Sequence, residues 1–220
     1  MGIDLATFWP RIVDATIETL QMVAFSLIFS LIIGIPLGIV LVVTRPGNLL
    51  GNKAFFAVLN GVINFLRSIP FIILLVAIIP FTRLVVGTTI GTAAAIVPLV
   101  VYAAPYIARL VESSLLEVSP GVIEAAEAMG AKPWQIIFRV LVPEAFSSLI
   151  LNITIATVGI IGASAMAGFV GGGGLGDLAI AYGYQRFETE IMIITVLLLV
   201  VIVQFVQSLG NKLSKTSRRR

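Results

Sequence analysis

The sequence predicts an all-α integral membrane protein with five transmembrane helices, its N-terminus outside and its C-terminus in the cytoplasm. Of 220 residues, 59% are hydrophobic and only 11% charged, where soluble domains carry roughly a quarter charged. Five stretches reach the about 20 mostly apolar residues that a spanning helix requires: about 20–43, 54–80, 93–110, 145–170 and 191–209. The basic residues divide unequally between the two sides. One side receives ten: Arg45, Lys53, Arg109, Lys132, Arg139, Lys212, Lys215, Arg218, Arg219 and Arg220. The other receives three, Arg11, Arg83 and Arg186, with Arg67 inside a segment. The positive-inside rule places the larger set in the cytoplasm and demands an odd number of spans.

Taken in order, residues 1–19 are expected as an external N-terminal segment, followed by a transmembrane domain over 20–209. The first span follows Asp4, Asp14 and Glu18, not a basic region, and is too long for a cleaved signal peptide, so it is expected to stay in the mature protein. It carries Gly34 and Gly38 at GxxxG spacing, a pattern that lets membrane helices pack closely and also arises by chance in apolar helices. Arg45-Pro46-Gly47 reads as a turn. In the second segment Asn60, Asn64 and Arg67 share one helical face, which should look into the protein, an aqueous cavity or the interface, because charge in lipid is costly. Pro70 should bend or break that helix. A polar connection over 81–92 leads to the third span, which contains Pro98 and Pro105. The fourth span is rich in small and hydroxyl residues, among them Ser164 and Gly168, suited to tight packing or to lining a polar path. The run Gly171-Gly172-Gly173-Gly174-Leu175-Gly176 is expected as a close-packed external turn or re-entrant bend, with a flexible connector as the competing reading. Residues 210–220 form a basic cytoplasmic tail that faces anionic lipid.

The most charged interior stretch, 111–144, lies on the cytoplasmic side. Ser119-Pro120 can start a short helix, Ser as cap and Pro in the first turn. Gly130 can end it in a left-handed conformation, and Pro133 opens a second helix. The unit is helix, tight turn, helix. Ala125, Ala126 and Ala128 present a low-relief surface, with Glu124 and Glu127 at its rim, where another protein can approach closely.

Several functions are excluded. The chain has no His and no Cys, so zinc chemistry and thiol redox chemistry lack their usual ligands, and no metal site is expected. The scattered basic residues do not point to nucleic acid. Gly171-x-Gly173-x-x-Gly176 matches a dinucleotide fingerprint formally, but a membrane segment precedes it where a strand would be needed, and no Lys-Ser or Lys-Thr follows. Without His or Cys, only Ser and Lys remain for a nucleophile and base, and every Lys sits in a loop or the tail. No Asp or Glu falls inside the five spans as drawn, so the energy for uphill transport should come from another subunit.

Glu124-Ala125-Ala126, three residues, Gly130, nine residues and Val140-Leu141-Val142-Pro143 resemble the EAA loop of type I ABC importer permeases, with Val140 and Val142 in place of Ile and Leu. Phe65 to Leu75, Ile79-Pro80-Phe81-Thr82-Arg83, Ser164-Ala165-Met166-Ala167-Gly168, Gly173-Gly174-Leu175-Gly176 and Val43 to Gly47 are similar to the permeases of methionine importers, so the resemblance covers nearly the whole chain. It implies the ABC transmembrane type-1 fold in a bacterial inner membrane, and a permease subunit with no catalytic site or cofactor of its own. It also implies a second copy of the chain, two ATPase subunits that bind ATP and Mg, and an extracytoplasmic substrate-binding protein. The implied substrate is methionine. Glu124, Ala125, Ala126, Ala128, Met129 and Gly130 would form the coupling helix that docks on the ATPase. Asn64, Ser164 and Met166 are candidates for the translocation path, core filling being the competing reading for Met166. Gly34, Gly38, Pro70 and Gly168 are candidates for helix packing or hinge positions. A permease for another amino acid or an osmoprotectant is the near alternative. A passive channel or secondary carrier would leave the EAA pattern unexplained.

Overall fold

The computed structural model describes residues 5–217. Residues 1–4 and 218–220, which include Asp4 of the expected external segment and Arg218, Arg219 and Arg220 of the tail, lie outside the described residues.

The described residues form helices joined by short turns, in the order α1 (Leu5–Thr44), α2 (Lys53–Ser68), α3 (Phe71–Ala77), α4 (Ile79–Val86), α5 (Thr92–Leu116), α6 (Pro120–Ala128), α7 (Pro133–Ile136), a π-helical turn Ile137–Leu141, α8 (Val142–Glu144), α9 (Phe146–Ala167), a 3-10 turn Gly168–Val170, α10 (Gly174–Leu178), a second π-helical turn Ala179–Tyr184, and α11 (Thr189–Ser217). Among the described residues, four helices are long and apolar enough to cross a membrane, or five if α2 and α3 together count as one broken span.

Several boundaries differ from the sequence reading, each for a local reason. Helix α1 begins at Leu5, not Leu20. Phe8, Ile12, Ala15, Thr19 and Met22 recur at spacings of three and four and are all buried, so one continuous helical stripe is packed. The expected second span is three helices. Pro70 has no N–H and pushes Ile69 out of the helical region; its own ψ is 136°. Ser68 Oγ donates to Asn64 O at 2.8 Å, closing the last turn of α2. The amides of Ile73 and Leu74 then start α3 on Pro70 O at 3.0 Å, and Pro80 falls in the first turn of α4. Residues 81–86, expected as a connection, are therefore helical. Helix α5 runs past residue 110 to Leu116, carrying Glu112 into a helix. Helix α11 runs to Ser217, so 210–217 is helix and not a free tail; Ser214 Oγ lies 2.7 Å from Ser147 Oγ.

The chain forms two compact units. Among the described residues, one comprises 5–29, 69–103 and 157–207; the other comprises 30–68, 104–156 and 208–217. The first has an apolar core of Met22, Phe71, Leu75, Leu99, Ala163 and Ala167. It continues through Ile12, Leu175 and Ile191 and through Val23, Ala103 and Ile160. The second packs Leu41, Ile63 and Ala108 together. In that unit α1 meets α5 with almost no space. A Cβ on Gly34 would sit 2.8 Å from Ala104 O, and one on Gly38 would sit 2.6 Å from Ala108 O, the small-residue approach that drives membrane helix pairing. Gly38→Leu is accordingly expected to lower the stability of the detergent-solubilised chain by about 1–3 kcal/mol, the usual cost of overpacking. Thermal unfolding checks it, and an unchanged midpoint would show that α1 and α5 can separate freely.

Candidate functional site

The charged motif between the third and fourth expected spans folds as α6, a tight turn and α7. Pro120 occupies the first turn of α6, but Ser119 makes no side-chain cap there; its expected capping role is corrected, and Val122 N–H instead uses Ser119 O at 3.1 Å. The C-terminal end is a Schellman motif. Ala131 N–H donates to Ala126 O at 3.1 Å and Gly130 N–H to Glu127 O at 2.9 Å, with Gly130 at φ +77°. Helix α7 is held at its start by Gln135, whose Oε1 accepts the Lys132 N–H at 2.8 Å. Gln135 was missed in the sequence, although a Gln at the third position of a Pro-initiated helix is a known cap signal. The Arg139 guanidinium lies 5.8 Å from the Trp134 ring centroid.

The alanine face divides. Ala126 is only 3% exposed, turned into its own chain, so it does not share the open surface with Ala125 and Ala128. The outward face consists of Glu124, Ala125, Glu127, Ala128, Met129 and Gly130, all exposed, with Met129 at 82%. Beneath α6, a cleft of about 110 Å³ is lined by Pro120 and Ile123 together with Val42, Leu115 and Leu141. Helix α6 also packs on the π-helical turn Ile137–Leu141. Within this unit, α6 therefore lies against the ends of α1 and α5 and against the turn that leads into α9.

The polar face of α2 turns toward α5. Arg109 Nη2 donates to Asn60 Oδ1 at 2.7 Å and to Asn64 Oδ1 at 2.8 Å, while Nη1 pairs with Glu112. Glu112 is 3% exposed, and Arg45 lies 3.9 Å from it. Arg67 departs from its two helix neighbours and stacks over Tyr106 at 6.0 Å. Neither Arg109 nor Glu112 was singled out in the sequence; their i,i+3 spacing was the available signal.

In the other unit, Ser164 is buried and spends its hydroxyl on Ile161 O at 2.8 Å. Met166, on the same helix, is 49% exposed, so the two path candidates of α9 do not share an environment, and Asn64 belongs to the Arg109 network. At Gly168 a Cβ would overlap the backbone of Asp177, and Pro70 stands at the N-terminal boundary of α3.

The glycine run is fastened in place. Gly91 N–H donates to Gly171 O at 2.8 Å and Gly172 N–H to Ala167 O at 3.0 Å. Gly174 N–H reaches Glu18 Oε2 at 2.7 Å and Leu175 N–H reaches Thr19 Oγ1 at 2.8 Å. This excludes the flexible-connector reading, and it gives Glu18, assigned to the external segment, a place in α1 and a role in holding the turn. Burial and then the neighbouring Glu18 charge push the Asp177 carboxyl above its ordinary 3.8. A raised carboxyl favours folding below that raised value and opposes it above. Asp177→Asn is expected to unfold at a higher temperature than the parent near pH 7, with the advantage disappearing below about pH 4; a parent equally stable at pH 7 would mean that Asp177 is freely solvated.

Residues 34–218 match the family described as "Binding-protein-dependent transport system inner membrane component". The chain is 52% identical over 202 residues to a protein named "Probable D-methionine transport system permease protein MetI" from Vibrio cholerae, covering 92% of this chain and 90% of that one. It is 53% identical over 151 residues to the "D-methionine transport system permease protein MetI" of Escherichia coli, covering 69% and 70%. Among solved structures, a chain of the inward-facing MetNI methionine ABC transporter superimposes with a TM-score of 0.95 at 46% identity over 98% of this chain and 99% of that one. An amino acid ABC transporter superimposes with 0.78 at 19% identity and shares the fold alone. The apolar helices, the type-1 permease fold and these matches make this a multi-pass inner-membrane ABC transporter permease, and the chain belongs to the family of binding-protein-dependent transport system inner membrane components.

Proposed function

We propose that this chain is the permease subunit of an ATP-driven methionine importer and that it forms the translocation path with a second copy of itself. Two ATPase subunits lie on the cytoplasmic side and an extracytoplasmic binding protein delivers substrate from the other. ATP and Mg²⁺ are held by the ATPases; this chain contributes no catalytic residue. The observation that carries the reading is the exposed face Glu124, Ala125, Ala128 and Met129, set by the Schellman turn at Gly130 and standing on a buried Ala126. Small side chains around one protruding Met suit insertion into a groove, since Met adapts to an irregular partner surface. The names carried by the relatives favour methionine as substrate.

In this reading the chain crosses the membrane five times, α2 and α3 together forming the second crossing. The Leu5 end of α1 is outside and the Ser217 end of α11 is in the cytoplasm, as the asymmetry of Lys and Arg indicates. Closure of the ATPase pair on ATP moves the docked α6, and the motion passes through Ile123 and Leu141 to the long helices, opening the path alternately to the two sides. Met166, half-exposed between small residues, lines the path.

The natural chain lacks cysteine, so Met129→Cys introduces a unique thiol. With a cysteine placed in the ATPase groove, it is expected to form a disulfide whose yield changes with ATP. Absence of any cross-link while Cys variants elsewhere on the cytoplasmic side react would move the docking surface away from α6. Ala128→Arg is expected to leave folding intact and reduce uptake at least about tenfold, since overpacking a close contact costs about 1–3 kcal/mol; uptake equal to the parent would remove the alanine face from the contact.

A further inference from the structure

We propose that Arg11 and Arg186, held against Tyr182, form a binding site for the headgroup of an anionic phospholipid. The Arg186 guanidinium carbon lies 4.3 Å from the centroid of the Tyr182 ring. Arg11 lies 5.7 Å from the same centroid and 5.5 Å from that of Phe8, and its Nη1 donates to the Tyr182 hydroxyl. Phe8 meets Tyr182 edge to face at 4.8 Å. Two cations are thus fixed on one aromatic pair, an arrangement that attracts guanidinium groups to ring faces.

Among the described residues, neither cation makes an ion pair with an acid. Among the described residues the salt bridges are those of Glu112 with Arg45 and Arg109; Asp14, Glu188 and Glu190 are near in sequence but make no ion pair with Arg11 or Arg186. The guanidinium groups keep free N–H donors in a geometry suited to phosphate oxygens.

The surroundings indicate where that phosphate comes from. The apolar spans begin at Phe8 and at Thr189, so Arg11 and Arg186 stand at the ends of two membrane helices. Trp9, Tyr184 and Phe187, each within two residues of one of these arginines in sequence, are exposed, Phe187 at 84% and with φ +58°. Exposed Trp and Tyr at span ends mark the headgroup level of a bilayer, and holding a bulky residue in the left-handed region is a strain met mainly at functional surfaces. A phosphodiester is present there at high local concentration. Guanidinium groups without a protein carboxylate partner favour an anionic over a zwitterionic headgroup, because no choline charge offsets the phosphate.

The full-length chain carrying Trp134→Phe, reconstituted in nanodiscs, reports the site through fluorescence of Trp9. Brominated phosphatidylglycerol is expected to quench Trp9 at a mole fraction about tenfold lower than brominated phosphatidylcholine. Arg11→Gln with Arg186→Gln should erase that preference, and Arg186→Gln alone, which removes no hydrogen bond, should lower it about threefold on a folded protein. Retention of the preference in both variants would overturn the proposal. Inorganic phosphate at millimolar concentration is expected to leave quenching unchanged; displacement of the lipid by phosphate alone would make this a free-anion site. If the variants kept their lipid preference and instead lost capture of the substrate-binding protein, the arginines would be a protein-docking surface and the lipid assignment would fall.

Discussion

Gly130→Pro is expected to reduce ATP-driven uptake to background while the chain still inserts and folds. The φ of +77° at this position is closed to proline, whose ring fixes φ near −65°. The substitution also removes the N–H that donates to Glu127 O and displaces Ala131 from Ala126 O. Both Schellman bonds go, and with them the angle at which α6 presents Ala125, Ala128 and Met129. Gly130→Ala separates the two effects. No atom lies within 4 Å of the added Cβ, so alanine meets only the left-handed penalty of about 1–2 kcal/mol and should retain most uptake. Co-purification of the ATPase with each variant checks the sequence: lost with Pro, kept with Ala. Normal uptake with Gly130→Pro would show that the turn does not set the coupling geometry.

Arg109→Leu is expected to be the most destabilising single change in the chain, by about 3 kcal/mol or more. Glu112 is buried and has Arg109 as its close partner, with Arg45 at the edge of ion-pair range. Removing one member of such a pair leaves an uncompensated charge, which costs more than the pair is worth. Asn60 and Asn64 lose their shared donor in the same step, which leaves α2 on α5 only through the Ile63–Ala108 packing and the Arg67–Tyr106 contact. The double change Arg109→Leu with Glu112→Leu should recover much of the loss, since no orphaned carboxylate remains. Urea or thermal unfolding in detergent distinguishes the two variants, and equal stability of parent and Arg109→Leu would mean that the network is solvated.

The apolar runs of α1, α5, α9 and α11 were legible because twenty residues without charge have few other uses. The turn chemistry of Pro120, Gly130 and Pro133 was equally legible, since each residue fixes a backbone angle by itself. The rest depends on tertiary partners. The start of α1 was hidden because Asp14 and Glu18 interrupt a hydropathy window while leaving the stripe Phe8, Ile12, Ala15, Thr19 and Met22 intact. Pro70 announced a break, and Pro80 offered the same first-turn signal as Pro120 and Pro133, but the apolar run from Phe71 hid it inside one expected span. Ala126 reads the same as Ala125 and Ala128 in sequence, since alanine suits a buried contact and an open groove alike; only the packing of α6 on Ile137–Leu141 decides which faces inward. Glu112 looked like a loop acid because Arg109, its partner, seemed to end the span.

With Ala126 turned inward, where Arg would break the chain's own packing, the substitutions that probe docking are those at the outward residues. The most direct test of the account is uptake of labelled methionine by proteoliposomes containing this chain and its ATPase, with binding protein and methionine outside and ATP within. The account predicts uptake that requires ATP, ATPase and binding protein together and that falls at least about tenfold with Ala128→Arg. Methionine accumulation by the chain alone, without ATPase or ATP, would contradict it.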